Sequence, residues 1–476
     1  MSGKNLLFVF ADQWRRMAMG CAGQDPVLTP RMDAFAAQSM YCTDATSSFP
    51  LCSPHRASLF TGRWPQTTGM FTNCKPGLSV RLRDEELCIG EVMKENGYRT
   101  AYIGKWHLDE PEINHSQEPL SGARDWDAYT PPGIRRHGFD YWYAYNTCDT
   151  HLTPHYWTDS PNPIRVEQWS PEHETDVAIR YLQDAAQKEQ PFALFVSWNP
   201  PHSPYHFVPE KYRQLYKDLK FPVRDNVDAE RLHYHTPEAS KMTEEDLRQA
   251  TRDYFAAVSG LDEQFGRLLD SLKELGLDEN TIVVLTADHG DMMGSHGLMA
   301  KHVWYEESIG IPMVVGGAGI PQGTCGKVIG SADVAPTLLD LLDLPIPNTM
   351  EGQSAAKELL TGAACEDSFT YLYACPGGLA LLEPLQQAGI DPKSMGWRGI
   401  RSKRYTYSAD AGYTPDSPMQ RLLYDLQQDP MQKEPKKLRR AEDCPEAEAL
   451  ERYLSEWLER EQDPFLPKLN KESSVL

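Results

Sequence analysis

Short apolar runs alternating with amphipathic stretches constrain this chain more than any other feature. Residues 6–11, 100–103, 192–198, 281–286 and 311–315 are apolar or β-branched and read as buried strands. Between them, residues 29–38, 87–97, 174–186, 244–275 and 334–342 repeat with a helical period, the long one with an expected break near Gly260. This order predicts an α/β fold in which helices sandwich a large, mostly parallel sheet.

Such a sheet gathers ligands at the carboxyl ends of its strands. Four of the predicted strands deliver polar residues to that edge. Asp12 follows the first, Lys105 and His107 the second, His202 the third, and Asp288 with His289 the fourth. Residues 111–169 lack a clean period and are rich in Trp, Tyr, His and Pro, centred on Tyr141-Trp142-Tyr143-Ala144-Tyr145. They read either as an insert packed by its own aromatics or as a wall facing substrate. The pattern weakens over 366–393, where Gly377-Gly378 and Pro384 suggest a junction. Residues 396–407 then alternate like a strand pair, 422–426 like another strand, and 447–460 like a closing amphipathic helix. We therefore expect a catalytic α/β domain over 1–375 and a smaller antiparallel domain over 376–476.

With Lys+Arg 47 against Asp+Glu 68, the net charge of −21 argues against general binding to nucleic acid or an anionic membrane. Any anion must instead meet a local cluster of cations. The apolar run at 6–11 is too short for a signal-peptide core and ends in Asp12-Gln13-Trp14-Arg15-Arg16. As it stands the chain is expected in the cytoplasm, or in the periplasm or outside if a leader has been removed. The ten cysteines form no Cys-x-x-Cys pair. Cys21, Cys42, Cys74, Cys88, Cys148 and Cys325 read as buried thiols acting as small apolar residues.

Cys52 differs through its neighbours. Leu51-Cys52-Ser53-Pro54-His55-Arg56 runs on through Ala57-Ser58-Leu59-Phe60-Thr61-Gly62-Arg63. This resembles the signature of the type I, formylglycine-dependent sulfatases of the alkaline phosphatase-like superfamily. Gly104-Lys105-Trp106-His107 and Thr286-Ala287-Asp288-His289-Gly290 resemble further segments of that family, as do His202 in Pro201-His202-Ser203-Pro204 and Lys301 after His296-Gly297-Leu298-Met299-Ala300. The likeness extends from Asn5 through Ser308 and returns at 398–405 and 423–430.

The resemblance implies a maturation enzyme that oxidises Cys52 to Cα-formylglycine, whose hydrated diol attacks the sulfur of a sulfate ester. It implies a divalent cation, Ca²⁺ first and Mn²⁺ second, held by Asp12, Gln13, the residue at 52, Asp288 and His289. Arg56 would hold the diol, and Lys105 the sulfate. His107 would collapse the sulfated hemiacetal by elimination, and His202 or Lys301 would protonate the leaving alcohol. Two positions depart from the family's pattern: Gln13 stands where a second aspartate is common, and His289 where asparagine is common. Choline sulfatases and phosphonate monoester hydrolases also vary here, so hydrolysis of a small-molecule sulfate, a phosphonate monoester or a phosphodiester stays open beside a carbohydrate sulfate. Gln432 departs too, where glutamate is common. His151 and His155 are candidates for the substrate pocket.

Overall fold

The structure is a computed structural model and describes residues 3–232 and 242–473. Its main sheet contains β1 (Asn5–Asp12), β2 (Met40–Cys42), β3 (Arg99–Lys105), β4 (Tyr141–Tyr145), β7 (Phe192–Pro201), β8 (Thr281–Ala287), β9 (Met313–Gly317) and β10 (Gly323–Cys325), and a separate hairpin is formed by β5 (His155–Tyr156) and β6 (Ile164–Arg165). The strand order is β10-β2-β9-β8-β1-β7-β3-β4. The central strands are buried on both faces, which is why they read as continuous apolar runs.

β8, β1, β7, β3 and β4 run parallel, whereas β9 runs against both of its neighbours. Helices Pro30–Ala36, Ser170–Ala185 and Glu244–Glu274 pack together on one side. Helices Cys52–Thr61, Ile89–Glu95 and Val334–Leu341 pack together as a second group. The expected sandwich is therefore present.

Three expectations change. Glu244–Glu274 is one continuous helix with no break at Gly260. That glycine is there for packing: a Cβ at 260 would lie 2.5 Å from the Trp169 ring and 2.9 Å from Tyr212. Tyr141–Tyr145 is not part of a surface insert but the edge strand β4, and Trp142 stacks on Tyr102 with ring centroids 5.3 Å apart. Cys21 is exposed, unlike the other thiols read as buried.

The second sheet orders β11 (Phe369–Ala374), β12 (Trp397–Ser402), β13 (Tyr405–Asp410), β14 (Gln420–Asp425) and β15 (Lys436–Leu438), all antiparallel. Helix Pro445–Arg460 closes over β12 and β13 around a core that includes Trp397, Leu454 and Trp457. The division expected at residue 375 falls immediately after the edge strand β11. No helix among the described residues is long and apolar enough to cross a membrane.

Candidate active site

The motif around Cys52 is a helix buried at every position, Cys52–Thr61. Pro54 is tolerated because it lies in the first turn, where its missing N–H has no intrahelical partner. Gly62, at φ 64°, caps the other end by donating its N–H to Ser58 O. Arg56 lies four positions after Cys52, one helical turn on, so both face the same way. Cys52 opens the helix, where the aligned peptide dipoles favour negative charge.

Above this helix end the strands supply their terminal residues. Cys52 Sγ lies 3.5 Å from Asp12 Oδ1 and 3.3 Å from His289 Nε2. One donor atom from each of Asp12, Cys52, Asp288 and His289 lies within 4.8 Å of the others, and all four residues are buried. Two carboxylate oxygens and an imidazole nitrogen suit a divalent cation of mixed oxygen and nitrogen preference. His289 Nδ1 faces Gly290 O at 3.1 Å, so the ring donates there and leaves an Nε2 lone pair toward the cluster. Burial pushes Asp288 up to about 7, helped by the charge of Asp12. Burial alone would raise Asp12 as well, but Lys105, His202, Arg56 and His289 hold it well below the usual carboxylate range.

Gln13, the fifth expected ligand, joins that cluster through its backbone, its N–H donating to Asp288 Oδ1 at 3.0 Å. Its Oε1 accepts from Lys301 Nζ, and its Nε2 donates to Asp291 Oδ2 at 2.5 Å and Tyr205 Oη at 3.2 Å. Gln13 and His107 both take left-handed backbone, at φ 66° and 53°, a strain that collects at functional positions. Gly104 has a local reason of its own: at φ 101° it lies against β7, and a Cβ would come within 2.1 Å of Ser197 O.

Arg56 is a strut. Nε donates to Asp288 at 3.2 Å, Nη2 to Asp12 at 3.0 Å, and Nη1 to Lys105 O at 2.7 Å and Ser197 Oγ at 2.9 Å. Lys105 Nζ reaches Asp12 Oδ2 at 2.7 Å and Asn199 Oδ1 at 3.0 Å. His107 Nε2 donates to Cys74 O at 3.3 Å, and its buried Nδ1 has no hydrogen-bond partner among the described residues. Burial, then Lys105 and Arg56, hold its imidazole well below the usual range, so it is neutral with a lone pair at Nδ1. His202 is likewise held low by burial, then by Lys301 and Lys105, and its Nδ1 donates to Ser203 O at 2.6 Å. Lys301 is tied to the cluster through Gln13, whose Oε1 accepts from Nζ and whose N–H donates to Asp288 Oδ1 at 3.0 Å; after burial, its charge helps hold both His202 and His289 low.

The residues expected at the site thus meet one another around residue 52 or brace it, Gln13 by donating its N–H to Asp288 and by accepting from Lys301. His151 joins them at the margin, with Nε2 3.0 Å from His202 O, whereas His155 pairs with Asp127 at 2.6 Å in the aromatic segment. Ser197, Asn199, Tyr205 and Asp291 escape a sequence reading because their part is to hold another side chain. Asn199 is also tied to Cys148 O at 2.8 Å and Asp149 at 3.0 Å.

Comparison with known proteins gives a consistent picture. The family model described as Sulfatase matches residues 4–344. An endo-4-O-sulfatase of Bacteroides thetaiotaomicron is 36% identical over 462 residues, covering 90% of this chain and 87% of that protein. An ulvan-active sulfatase of Formosa agariphila is 36% identical over 434 residues, covering 90% and 76%. A crystal structure of the sulfatase yidJ from Bacteroides fragilis superposes with a TM-score of 0.84 at 34% identity, covering 98% of both chains.

Proposed function

Since the chain belongs to the sulfatase family, we propose that it hydrolyses a sulfate monoester carried on a carbohydrate, with the nucleophile borne by residue 52. The observation that carries this reading is the pairing of Cys52 Sγ with Asp12 at 3.5 Å and His289 at 3.3 Å, at a helix N-terminus ringed by Arg56, Lys105 and Lys301. The names of the two curated relatives, one acting on ulvan and one an endo-4-O-sulfatase, support a sugar as the alcohol partner.

Cys52, once oxidised to formylglycine, supplies a diol hydroxyl as nucleophile. A divalent cation held by Asp12, Asp288, His289 and the residue at 52 supplies a Lewis acid that favours the ionised hydroxyl. The remaining work belongs to the chain. Lys105 and the helix N-terminus meet the negative charge of the sulfuryl oxygens, in a site dry enough for such charges to count. Arg56 keeps Asp12 and Asp288 aligned. His107 takes a proton at Nδ1, since Nε2 is committed to Cys74 O. A neutral His202 whose Nδ1 proton is committed to Ser203 O has none to give at Nε2. The Lys301 ammonium, oriented by Gln13 Oε1, is therefore the donor to the departing alcohol.

Peptide mass spectrometry at residue 52, followed by turnover of paired sulfated oligosaccharides and aryl phosphodiesters, tests the proposal. Loss of sulfur with gain of an aldehyde, and preference for the sulfated sugars, is the expected result. Turnover of sulfate esters by the Cys52→Ala variant overturns the mechanism. Preference for the phosphodiester moves the chain to the phosphonate monoester hydrolase and phosphodiesterase reading, in which His289 replaces an oxygen ligand.

A further inference from the structure

We propose that Lys75 and Trp126 form a sugar subsite beside the cleavage centre, in which the Trp126 face carries a sugar ring and the Lys75 ammonium pairs with a second anionic group on it, a carboxylate or another sulfate. This rests on the carbohydrate-sulfatase reading and specifies its substrate.

Two features set these residues apart. Trp126 is 39% exposed, although large aromatics in this chain are mostly buried. Its ring centroid lies 6.2 Å from that of His107, one of the groups around residue 52. Lys75 Nζ lies 5.6 Å from the centre of the same ring. An exposed aromatic face next to the cleavage centre offers a platform for the apolar C–H face of a sugar.

The charges argue for an anion. In a chain of net charge −21, cations near the centre are mostly matched: Arg56 faces Asp12 and Asp288, and Lys105 faces Asp12. Lys75 is half-buried, yet no carboxylate pairs with it among the described residues. The acids that follow β3 are engaged elsewhere, Asp109 with Thr130 and Arg135, and Glu110 with Asn114 at 3.0 Å and Ser79 at 3.1 Å. Burial lowers the Lys75 ammonium to about 8. A bound anion supplies the missing partner.

Lys75 is also held firmly relative to residue 52. Ser53 N donates to Asn73 Oδ1 at 3.0 Å, and Cys74 N donates to Ser53 Oγ at 3.1 Å. Ser53 Oγ in turn donates to His107 O at 2.7 Å, and Asn114 Nδ2 to Leu78 O at 3.0 Å. Trp126 is steadied by Asn146 Nδ2, which donates to its carbonyl at 3.0 Å. The nucleophile helix, His107 and the Lys75 loop thus share one hydrogen-bonded frame, the preorganisation that a specificity subsite needs.

Calorimetry with three oligosaccharides of one length tests this: one neutral, one bearing carboxylates without sulfate, one bearing sulfates without carboxylates. Lys75→Gln is expected to weaken at least one anionic probe about tenfold relative to the neutral one, with recovery in Lys75→Arg, and the affected probe identifies the anion. Trp126→Ala is expected to weaken all three. In turnover, the ratio of kcat/KM for a sulfate ester with a neighbouring anion to one without it falls by a similar factor in Lys75→Gln. Equal loss on neutral and anionic probes, or no loss on any, overturns the subsite. If the wild-type protein cleaves no sulfate ester, the proposed function fails, while the binding comparison still decides the subsite.

Discussion

Lys105 Nζ lies 2.7 Å from Asp12 Oδ2, and neither side chain reaches solvent. Asp12 owes part of its lowered carboxyl to this lysine, so the pair ties the charge of the anion pocket to the stability of the domain. Lys105→Met leaves Arg56 as the one lysine or arginine still paired with Asp12 among the described residues. Removing one partner from a buried ion pair costs about 3 kcal/mol, which denaturant unfolding will read as a lower midpoint at unchanged slope. Turnover should fall by about 10²–10³, the usual cost of one preorganised charge partner. Lys105→Arg should not restore it, because the longer fork has no room in a fully buried position.

The roles of His202 and Lys301 separate through the leaving group. A proton donor matters most for an alcohol that leaves poorly. Lys301→Ala is expected to slow sulfated sugars by about 10²–10⁴ and to slow an aryl sulfate with an acidic phenol far less. His202→Ala should slow both by a comparable factor. If the two variants exchange these patterns, His202 is the donor and its protonation must follow substrate binding.

Glu306 joins the two sheets, pairing with Arg16 after β1 and with Arg401 of β12 at 3.1 Å. Burial would raise its carboxyl, yet Arg401 and Arg16 bring it down to about 2. A group depressed in the folded state adds stability that is complete above its unfolded value near 4.5 and is lost as pH falls through 2. The amount is on the order of 3 kcal/mol. Wild type and Glu306→Gln should therefore differ by a constant stability above about pH 5 and converge toward pH 2. A gap that stays constant down to about pH 2.5 would place the stabilisation elsewhere.

What was legible in the sequence was whatever local pattern encodes. Period and composition located the central strands and the polar residues at their ends, whereas the helix that puts Cys52 and Arg56 on one face was not read from the sequence. Strand direction was not legible, because alternation carries no sign; β9 runs antiparallel through its connection and not through its residues. Ser197, Asn199, Tyr205 and Asp291 each hold a partner supplied by another part of the chain, and nothing nearby marks them. Lys75 has no motif either, and it becomes visible only when the fold brings Trp126 over it without a carboxylate.

Gly260 reads as a helix break in the sequence and instead serves helix packing. In mid-helix, Gly→Ala normally gains about 1 kcal/mol. Here the new methyl meets Trp169 at 2.5 Å in a filled core, and overpacking costs about 1–3 kcal/mol. Gly260→Ala should therefore lower the melting temperature. A double variant with Trp169→Leu should recover part of the loss, since it makes room for the Cβ. A stabilised single variant would mean that Trp169 moves aside freely.

The imidazole of His289 sets the expected ion preference. With Nδ1 committed to Gly290 O at 3.1 Å, the ring presents an Nε2 lone pair beside Cys52 and Asp12. Ca²⁺ prefers an all-oxygen shell, whereas Mn²⁺ accepts nitrogen readily. His289→Asn exchanges that nitrogen for an amide oxygen, so the ion that best restores the chelator-treated protein should shift toward Ca²⁺. The readout is thermal: an ion that binds the folded state raises the melting temperature as its concentration climbs above its Kd. The titration can be run on unmodified Cys52 protein, independent of turnover. Asp288→Asn should weaken both ions, because it removes a charge that either must have. An unchanged order of ions in His289→Asn would mean that the imidazole braces the loop through Gly290 and does not touch the metal.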